Sequence, residues 1–303
     1  MTAFDPSRRR LLRGVGAAGI GVPLAGWLSA CSKTDPDTGQ EVVEDTSDLP
    51  GVLGRGESQG YLTVAIFNEP PYTKLEPDGT VTGAEPDVLR AVLSKFNIDD
   101  IQGERVEYES MIPALQAGRV DVIAAGLFMK QSRCAEVLYT EPVIVSTESF
   151  AVPPGNPNGI ASVQDVLDNP DLRIAVLPGG FEQGILVEAG VPEDQQVIVR
   201  DNVTGVESLG ADRADAFFLP TLSLEGLAED NDDFEITGIV EDAPKTGSGA
   251  AFEKSETEAV AMYNKELAKF KNSQEFVDIM NEWGFDPAAV EGVTSEELCA
   301  NEG

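Results

Sequence analysis

The sequence contains no histidine, few cysteines and few basic residues. Its 303 residues include 21 lysines and arginines against 53 aspartates and glutamates, a formal net charge of −32. Without histidine there is no imidazole for a metal site or for a Ser-His or Cys-His catalytic pair. So few basic residues leave no surface for nucleic-acid phosphates, and three cysteines are too few for a four-cysteine zinc site. We therefore expect no metal, no cofactor and no nucleic-acid partner.

The sequence also lacks an apolar run of the ~20 residues that a membrane-spanning helix needs. A short apolar stretch from Gly14 to Trp27 follows the basic segment Ser-Arg-Arg-Arg-Leu-Leu-Arg at 7–13, a pattern that predicts an export signal over residues 1–30. The paired arginines resemble a twin-arginine signal. Leu-Ser-Ala-Cys at 28–31 resembles a lipobox, in which Cys31 becomes the lipidated first residue. An ordinary secretory signal with an incidental cysteine is the alternative.

Acidic residues are abundant throughout the remaining chain. Removing residues 1–30 leaves 17 basic and 52 acidic side chains. Their wide distribution indicates a halophilic surface on which salt screens self-repulsion. A cation-binding protein is the alternative, although no Asp-x-Asp-x-Asp-Gly loop favours it. Residues 31–58 contain few apolar side chains and predict a flexible tether, which would hold an exported domain at the membrane through the lipid on Cys31.

Strands alternate with amphipathic helices from Tyr61 onwards. The first series has predicted strands at 61–66, 105–108 and 120–124, and a second series begins at 173. This alternation predicts an α/β fold with mostly parallel sheets. A Pro- and Gly-rich break at 152–157 separates the two series. We therefore predict two lobes, residues 59–151 plus 248–303 and residues 152–247, joined by a two-strand hinge with a ligand cleft between them.

Several motifs resemble those of a known family. Gly-Ala-Glu-Pro-Asp-Val-Leu at 83–89 and Ala-Ala-Gly-Leu-Phe-Met-Lys-Gln-Ser-Arg at 124–133 resemble the polar amino-acid-type solute-binding proteins of ABC importers. Asn-Glu-Pro-Pro-Tyr at 68–72, Pro-Gly-Asn-Pro at 154–157 and Glu-Leu-Cys at 297–299 resemble their ectoine/hydroxyectoine-binding subgroup. The resemblance implies a two-lobed, type II periplasmic-binding-protein fold. It also implies a monomer that passes a small zwitterionic solute to a membrane permease.

The resemblance also implies a set of ligand-binding residues. In that subgroup Arg133 would bind the solute carboxylate, while Glu69 and Glu182 would bind its ring nitrogens. The aromatic box that encloses the ring would consist of Tyr72, Tyr108 and Phe128. This chemistry suits ectoine, because a guanidinium can grip a carboxylate through two hydrogen bonds and aromatic faces attract a delocalised cation.

One position separates the candidate ligands. In relatives that bind α-amino acids, the strand resembling 215–219 is followed by an aspartate that holds the α-ammonium, whereas this sequence has Pro220. Proline offers neither an acid nor an N–H donor, which favours a ligand without a primary α-amine. A glutamine-like or betaine specificity remains the alternative. An enzyme and a sensor domain are further rivals, but the sequence offers no nucleophile–base pair, and we predict no enzymatic activity.

Two cysteines remain once Cys31 is assigned to the lipid. They are Cys134 and Cys299, and an extracytoplasmic location permits disulfides. We therefore predict a bond between them that pins the C-terminal segment to the lobe carrying Arg133.

Overall fold

The computed structural model describes residues 49–229 and 231–301. The predicted export signal at 1–30, Cys31 and the tether as far as residue 48 lie outside the described residues. No helix within the described ranges is both long enough and apolar enough to cross a membrane.

The tether prediction is wrong at its C-terminal end, because helix α1 spans Gly51–Gln59. Val52 and Leu53 on this helix are fully buried, and the backbone N–H of Val52 donates to a carboxylate oxygen of Glu256 at 2.8 Å. Two adjacent apolar residues in a polar stretch do not show the spacing of an amphipathic helix. The composition of this segment therefore indicates a linker. Burial against the rest of the protein stabilises this short helix.

The other helices and the strands alternate as the sequence predicts, with shifted ends. The remaining helices of the described chain are α2 (Ala84–Leu93), α3 (Tyr108–Gln116), α4 (Gln131–Glu136), α5 (Val163–Asp168), α6 (Phe181–Ala189), α7 (Asn202–Gly210), α8 (Thr221–Ala228), α9 (Thr257–Phe270), α10 (Gln274–Glu282) and α11 (Ser295–Leu298). The strands are β1 (Tyr61–Ile66), β2 (Lys74–Leu75), β3 (Val81–Thr82), β4 (Asp100–Arg105), β5 (Val122–Ile123), β6 (Val137–Tyr139), β7 (Ile144–Ser146), β8 (Glu148–Val152), β9 (Ile174–Val176), β10 (Gln196–Ile198), β11 (Ala216–Pro220), β12 (Glu235–Ile236), β13 (Thr246–Ser248) and β14 (Ala251–Glu253).

Two five-stranded sheets form the centre of the fold. In the first, ordered β4-β1-β5-β14-β6, strand β1 is parallel to β4 and β5, while β14 is antiparallel to β5 and β6. In the second, ordered β10-β9-β11-β8-β12, strand β9 is parallel to β10 and β11, while β8 is antiparallel to β11 and β12. The predicted two-lobed α/β fold is confirmed.

Two short strands lie in the connections between the sheets. The chain leaves the first sheet after β6 and enters the second at β8, and it returns between β12 and β14. Strands β7 and β13 lie in these two connections and pair antiparallel, with Ser146 opposite Thr246. This ribbon is the two-strand hinge that the fold class predicts.

The lobe boundary predicted after residue 151 is too late. Strand β8 begins at Glu148 and already pairs within the second sheet, where Phe150 lies opposite Phe218. The break at 152–157 follows the first strand of the second sheet, and only Thr147 separates that strand from the hinge. No turn residue marks the crossing, so the sequence pattern places the boundary at the next break instead.

Amphipathic helices cover the sheets, and their apolar stripes are buried as their period predicts. Helix α2 contributes Val88, Leu89, Val92 and Leu93, and helix α9 contributes Val260, Tyr263, Leu267 and Phe270. These stripes lie in one hydrophobic cluster with β1 residues Leu62, Val64 and Ile66.

Cys134 and Cys299 form the predicted disulfide, with their Cα atoms 5.8 Å apart. Cys134 lies on α4 and Cys299 directly follows α11. Nearby, the backbone N–H of Gln131 donates to the carbonyl of Asn301 at 2.7 Å. The C-terminal segment is therefore fixed to the helix that carries Arg133.

Candidate functional site

A small cavity lies where segments that follow parallel strands come together. Segments after β1, β4 and β5 line one side, and segments at the ends of β9 and β11 line the other. The lining residues are Glu69, Tyr72, Tyr108, Gly126, Phe128, Arg133, Phe181, Glu182 and Pro220, so all six residues that the resemblance implied as ligands meet here. About 10 Å³ is open to the centre of a water molecule, roughly the space of one water. The cavity is therefore too small, as it stands, for a solute of amino-acid size.

A larger groove of about 610 Å³ lies elsewhere, between α5, α6 and residues 242–244. Its charged lining residues are Glu188 and Asp242, and no lysine or arginine lies among the described residues that line it. The smaller cavity combines buried acids, a buried arginine and aromatic rings. We therefore regard the smaller cavity as the candidate site.

Aromatic rings form the walls of the cavity. The ring of Phe128 makes edge contacts with Tyr72 at 5.6 Å and with Phe181 at 5.7 Å between centroids. Tyr72 packs in the same way on Phe285, at 5.1 Å, and its hydroxyl is hydrogen-bonded to Ser146 of the hinge strand β7. Edge-to-face contacts are an arrangement that aromatic pairs prefer, and each adds about 0.5–1.5 kcal/mol beyond the burial of area.

Gly126 allows Tyr72 to approach the strand-end loop. Its φ of +65° lies in the left-handed region, and a Cβ at this position would come within 3.0 Å of the Tyr72 ring. Glycine satisfies both requirements because it has no side chain. The loop then continues through Phe128 to α4 and Arg133.

Arg133 is the basic residue of the cavity and is 7% exposed. Its guanidinium donates to the carbonyl of Phe128 at 2.7 Å and to the carbonyl of Gly179, on the opposite side, at 2.7 Å. A guanidinium has five N–H donors, so further donors are available for a carboxylate. Arg133 therefore both connects the two sides and carries the positive charge of the site.

Glu69 and Tyr108 form a hydrogen-bonded pair beside the cavity. The hydroxyl of Tyr108 donates to Glu69 Oε2 at 2.8 Å, and the hydroxyl of Ser223 donates to Oε1 at 2.8 Å. Burial raises the pKa of Glu69, while these two hydroxyl donors act in the opposite direction. Tyr108 itself is the first residue of α3 and not part of the predicted strand at 105–108.

Glu182 lies on the opposite side of the cavity, in the first turn of α6. A carboxylate is favoured at the start of a helix, where the backbone N–H groups are unpaired. It is 4% exposed, and burial raises its pKa to about 7. Glu182 is therefore a buried acid of the cavity wall whose charged form is disfavoured by burial.

Phe181 and Glu148 were not singled out from the sequence. Phe181 lines the cavity beside Glu182, and its place at the start of a predicted helix after two glycines was the available signal. Glu148 is 1% exposed, and its carboxyl lies within hydrogen-bonding reach of the Glu182 carboxyl. Its signal was an acid at the start of an otherwise apolar strand, which is easily overlooked in a chain with 53 acids.

Glu85, at the start of α2, supports the cavity from outside. Its Oε2 accepts from the backbone N–H of Gly126 at 2.8 Å and from the hydroxyl of Ser248 on hinge strand β13 at 2.9 Å. Its Oε1 is buried and has no donor among the described residues. Burial raises the pKa of Glu85 to about 7, against the opposing effect of these two hydrogen bonds.

Ionisation of Glu85 is expected to lower the stability of the folded protein as the pH rises. Because its pKa is raised from 4.5 to about 7, the folded protein binds this proton more tightly than the unfolded chain between those values. The contribution of Glu85 to the free energy of unfolding therefore falls from pH 4.5 to about 7, and Glu85→Gln removes this contribution. Across this range the free energy of unfolding of the variant should rise by about 3 kcal/mol relative to that of the wild type. Urea unfolding at stepped pH measures this difference.

The matched control is Glu104→Gln, which removes an exposed carboxyl. Its free energy of unfolding should run parallel to that of the wild type at every pH. A Glu85→Gln variant that also runs parallel would show that the pKa of Glu85 is the same in the folded and unfolded protein.

Comparison with known proteins agrees with this arrangement. The model of the bacterial extracellular solute-binding proteins, family 3, matches residues 62–286. The chain belongs to this family. It is thus an extracytoplasmic solute-binding protein of an ABC importer, and its class binds substrates without converting them.

The solute-binding protein is also similar to individual relatives. A probable amino-acid ABC transporter periplasmic-binding protein, y4tE of Sinorhizobium fredii, is 32% identical over 81% of this chain and 85% of its own length. The arginine-binding extracellular protein ArtP of Bacillus subtilis is 23% identical over 70% of this chain and 81% of its own. The crystal structure of EhuB in complex with hydroxyectoine has a TM-score of 0.79 and 41% identity, covering 85% of this chain and 99% of that one.

Proposed function

We propose that this solute-binding protein captures ectoine or hydroxyectoine and delivers it to an ABC permease. The observation that carries the proposal is the composition of the cavity. It combines one arginine, acids on both sides and an aromatic lining.

Each end of ectoine finds a matching group in this cavity. Ectoine is a zwitterion with one carboxylate and a cyclic amidinium whose charge is delocalised over a flat ring. Arg133 pairs with the carboxylate, and Glu69 and Glu182 accept from the amidinium N–H groups. The faces of the aromatic rings add about 0.5–2 kcal/mol each toward a delocalised cation. Such a dense set of partners replaces the water that a strongly hydrated solute loses on binding.

Two further observations support the ligand. Pro220 lines the cavity at the position where the resemblance places an aspartate in α-amino-acid binders. A primary ammonium would lack its usual partner there, whereas a ring amidinium does not need one. EhuB, a neighbour with 41% identity, has been solved in complex with hydroxyectoine.

Arginine is the second candidate solute. Three acids, Glu69, Glu148 and Glu182, are buried at or beside the cavity with one buried arginine, which favours a ligand with a strong positive charge. Relatives such as ArtP are arginine-binding proteins. Glutamine and glycine betaine lack a delocalised cation and fit this surplus of acid less well.

Isothermal titration of the purified protein with ectoine, hydroxyectoine, arginine, glutamine and glycine betaine tests the proposal. We expect ectoine or hydroxyectoine to bind more tightly than the other three by at least tenfold. Tight binding of arginine or glutamine without binding of either ectoine would overturn the proposed specificity.

Phe128→Ala is expected to weaken ectoine binding by about 1–3 kcal/mol, through lost packing and lost attraction between ring and cation. Phe128→Leu keeps most of the apolar volume, so its smaller loss isolates the contribution of the ring. Titration calorimetry gives both values, and thermal unfolding verifies that both variants are folded. Equal affinities for wild type and both variants would exclude Phe128 from the ligand contact.

The acidic surface forms part of the proposal as an adaptation to salt. With a net charge of −32, the folded state repels itself, and counter-ions relieve this repulsion. We expect the melting temperature to rise steeply between low and molar potassium chloride, measured by differential scanning fluorimetry. A flat profile would contradict the halophilic assignment.

The cell-surface arrangement is also proposed. Residues 1–30 act as a twin-arginine export signal, and the lipid on Cys31 anchors a monomer to the cytoplasmic membrane. Mass spectrometry of the N-terminal peptide of the exported protein tests this, because an unmodified Cys31 would contradict it. Analytical ultracentrifugation tests the monomeric state.

A further inference from the structure

Glu148 is a buried acid that the proposed ligand contacts leave unexplained. Its Oε1 accepts a hydrogen bond from the hydroxyl of Thr246 at 2.9 Å. Its Oε2 is buried and has no donor among the described residues. The carboxyl of Glu182 lies within hydrogen-bonding reach of the Glu148 carboxyl. Two carboxylates are both acceptors, so they form a hydrogen bond only when one of them carries a proton.

Charged groups of both signs surround this pair. Lys130 and Arg133 face Glu182 from α4 and the residue before it, while the acid Glu69 faces both members of the pair. The hydroxyls of Tyr72 and Tyr108 complete the titratable groups around them. The guanidinium of Arg133 is already hydrogen-bonded to two backbone carbonyls. Within the described chain, no acids are arranged to hold a metal ion.

The proton belongs on this pair rather than on Glu69. Both oxygens of Glu69 accept hydrogen bonds, from the hydroxyls of Tyr108 and Ser223, and these donors favour its ionised form. The four carboxyl oxygens of Glu148 and Glu182 have one hydroxyl donor, from Thr246, and one backbone N–H donor, that of Glu182 itself. Burial, and then the charge of Glu182, raise the pKa of Glu148 well above its ordinary value. Burial likewise raises the pKa of Glu182.

We propose that Glu148 is a further specificity-determining residue, which shares one proton with Glu182 in the solute-free protein and loses it when a cationic group of the solute pairs with Glu182. No bond is broken except that to the proton, which passes to the solvent. Glu148 does not line the cavity, so it acts on the solute through Glu182. The inference rests on the proposed function, because it requires a cationic solute in this cavity.

The consequence is that binding strengthens as pH rises. A cation beside Glu182 lowers the affinity of the pair for its proton, so the complex binds fewer protons than the free protein. The affinity for solute therefore rises with pH between the apparent pKa values of complex and free protein. A solute without positive charge would gain nothing from the lost proton, so the pair discriminates in favour of cations.

Titration calorimetry with ectoine, from pH 5 to pH 8, tests the inference on the wild type and on Glu148→Gln. For the wild type we expect the dissociation constant to fall by about tenfold or more across this range, with release of about 0.5–1 proton per solute near pH 6.5. Proton release is measured by repeating the titration in two buffers of different ionisation enthalpy. In Glu148→Gln the side-chain amide donates to Glu182, so no shared proton is needed. The number of protons released on binding should therefore fall almost to zero.

Glu207→Gln on α7 is the matched control, since it removes an exposed carboxyl, and its pH profile should match that of the wild type. Glu148→Gln with a wild-type pH profile and wild-type proton release would overturn the inference while leaving ectoine binding intact. If arginine binds in place of ectoine, the specificity proposed above fails. The same pH series with arginine then tests whether Glu148 shares a proton with Glu182. Absence of binding by either solute would overturn both proposals.

Discussion

Arg133→Ala is expected to abolish solute binding. Arg133 is 7% exposed and is the basic residue of a cavity lined mainly by acids and aromatic rings. Without it, the carboxylate of the solute would be buried opposite Glu69 and Glu182 with no positive partner. Removing one member of a buried charge pair costs about 3–5 kcal/mol, a loss of roughly a hundredfold to several thousandfold in affinity.

The same substitution should also weaken the contact between the two sides of the cavity in the solute-free protein. Arg133 donates to the carbonyls of Phe128 and Gly179 on opposite sides of the cavity, so its loss removes a contact that holds the two sides together. Arg133→Lys retains the charge but not the planar set of donors, and it should bind more tightly than the alanine variant and more weakly than the wild type. Titration calorimetry ranks the three proteins, and a wild-type affinity for Arg133→Ala would exclude this residue from the ligand contact.

Loss of the disulfide is expected to destabilise the protein strongly. Cys134 and Cys299 are 165 residues apart in sequence, and in the chain-entropy model a loop of this length restricts the unfolded chain by about 5 kcal/mol. We expect Cys134→Ala/Cys299→Ala to lose about 3–5 kcal/mol of unfolding free energy, and the melting temperature to fall by about 10 °C. Thermal unfolding of the variant beside the oxidised wild type measures this difference.

Reduction of the wild type provides the control, because it opens the same bond without changing the sequence. The reduced wild type and the double variant should unfold at similar temperatures, both below the oxidised protein. Identical melting temperatures for oxidised and reduced wild type would show that the disulfide does not stabilise the protein. Solute affinity should decrease as well, since Cys134 directly follows Arg133 on α4.

Four of the six predicted ligands could be located from the sequence because each of them occurs in a local motif. Arg133 and Phe128 lie within the continuous segment 124–133, and Glu69 and Tyr72 lie within 68–72. Such motifs fix a residue type to a short stretch of backbone, so they predict a site without any knowledge of long-range packing. Glu148 has no comparable motif. Its partner Thr246 is 98 residues away in sequence, and only the fold brings them together.

The errors in the predicted elements have a common cause, which is weak local hydrophobic patterning. Strand β4, at the edge of its sheet, buries Ile101 and leaves its other residues exposed, so no period of two marks it. The predicted strand therefore came five residues late and included Tyr108. Helix α1 likewise depends on long-range burial of Val52 and Leu53, which composition cannot reveal.

The end of the described chain offers a position for attaching a reporter. Asn301 accepts from the backbone N–H of Gln131, at the start of the helix that carries Arg133, and its side-chain amide donates to the carbonyl of Lys245, which precedes hinge strand β13. A fluorescent dye coupled there would lie outside the cavity yet beside two elements that a change in hinge angle would displace. Attachment at this point could convert the protein into an optical sensor for its own solute without altering any group that contacts it.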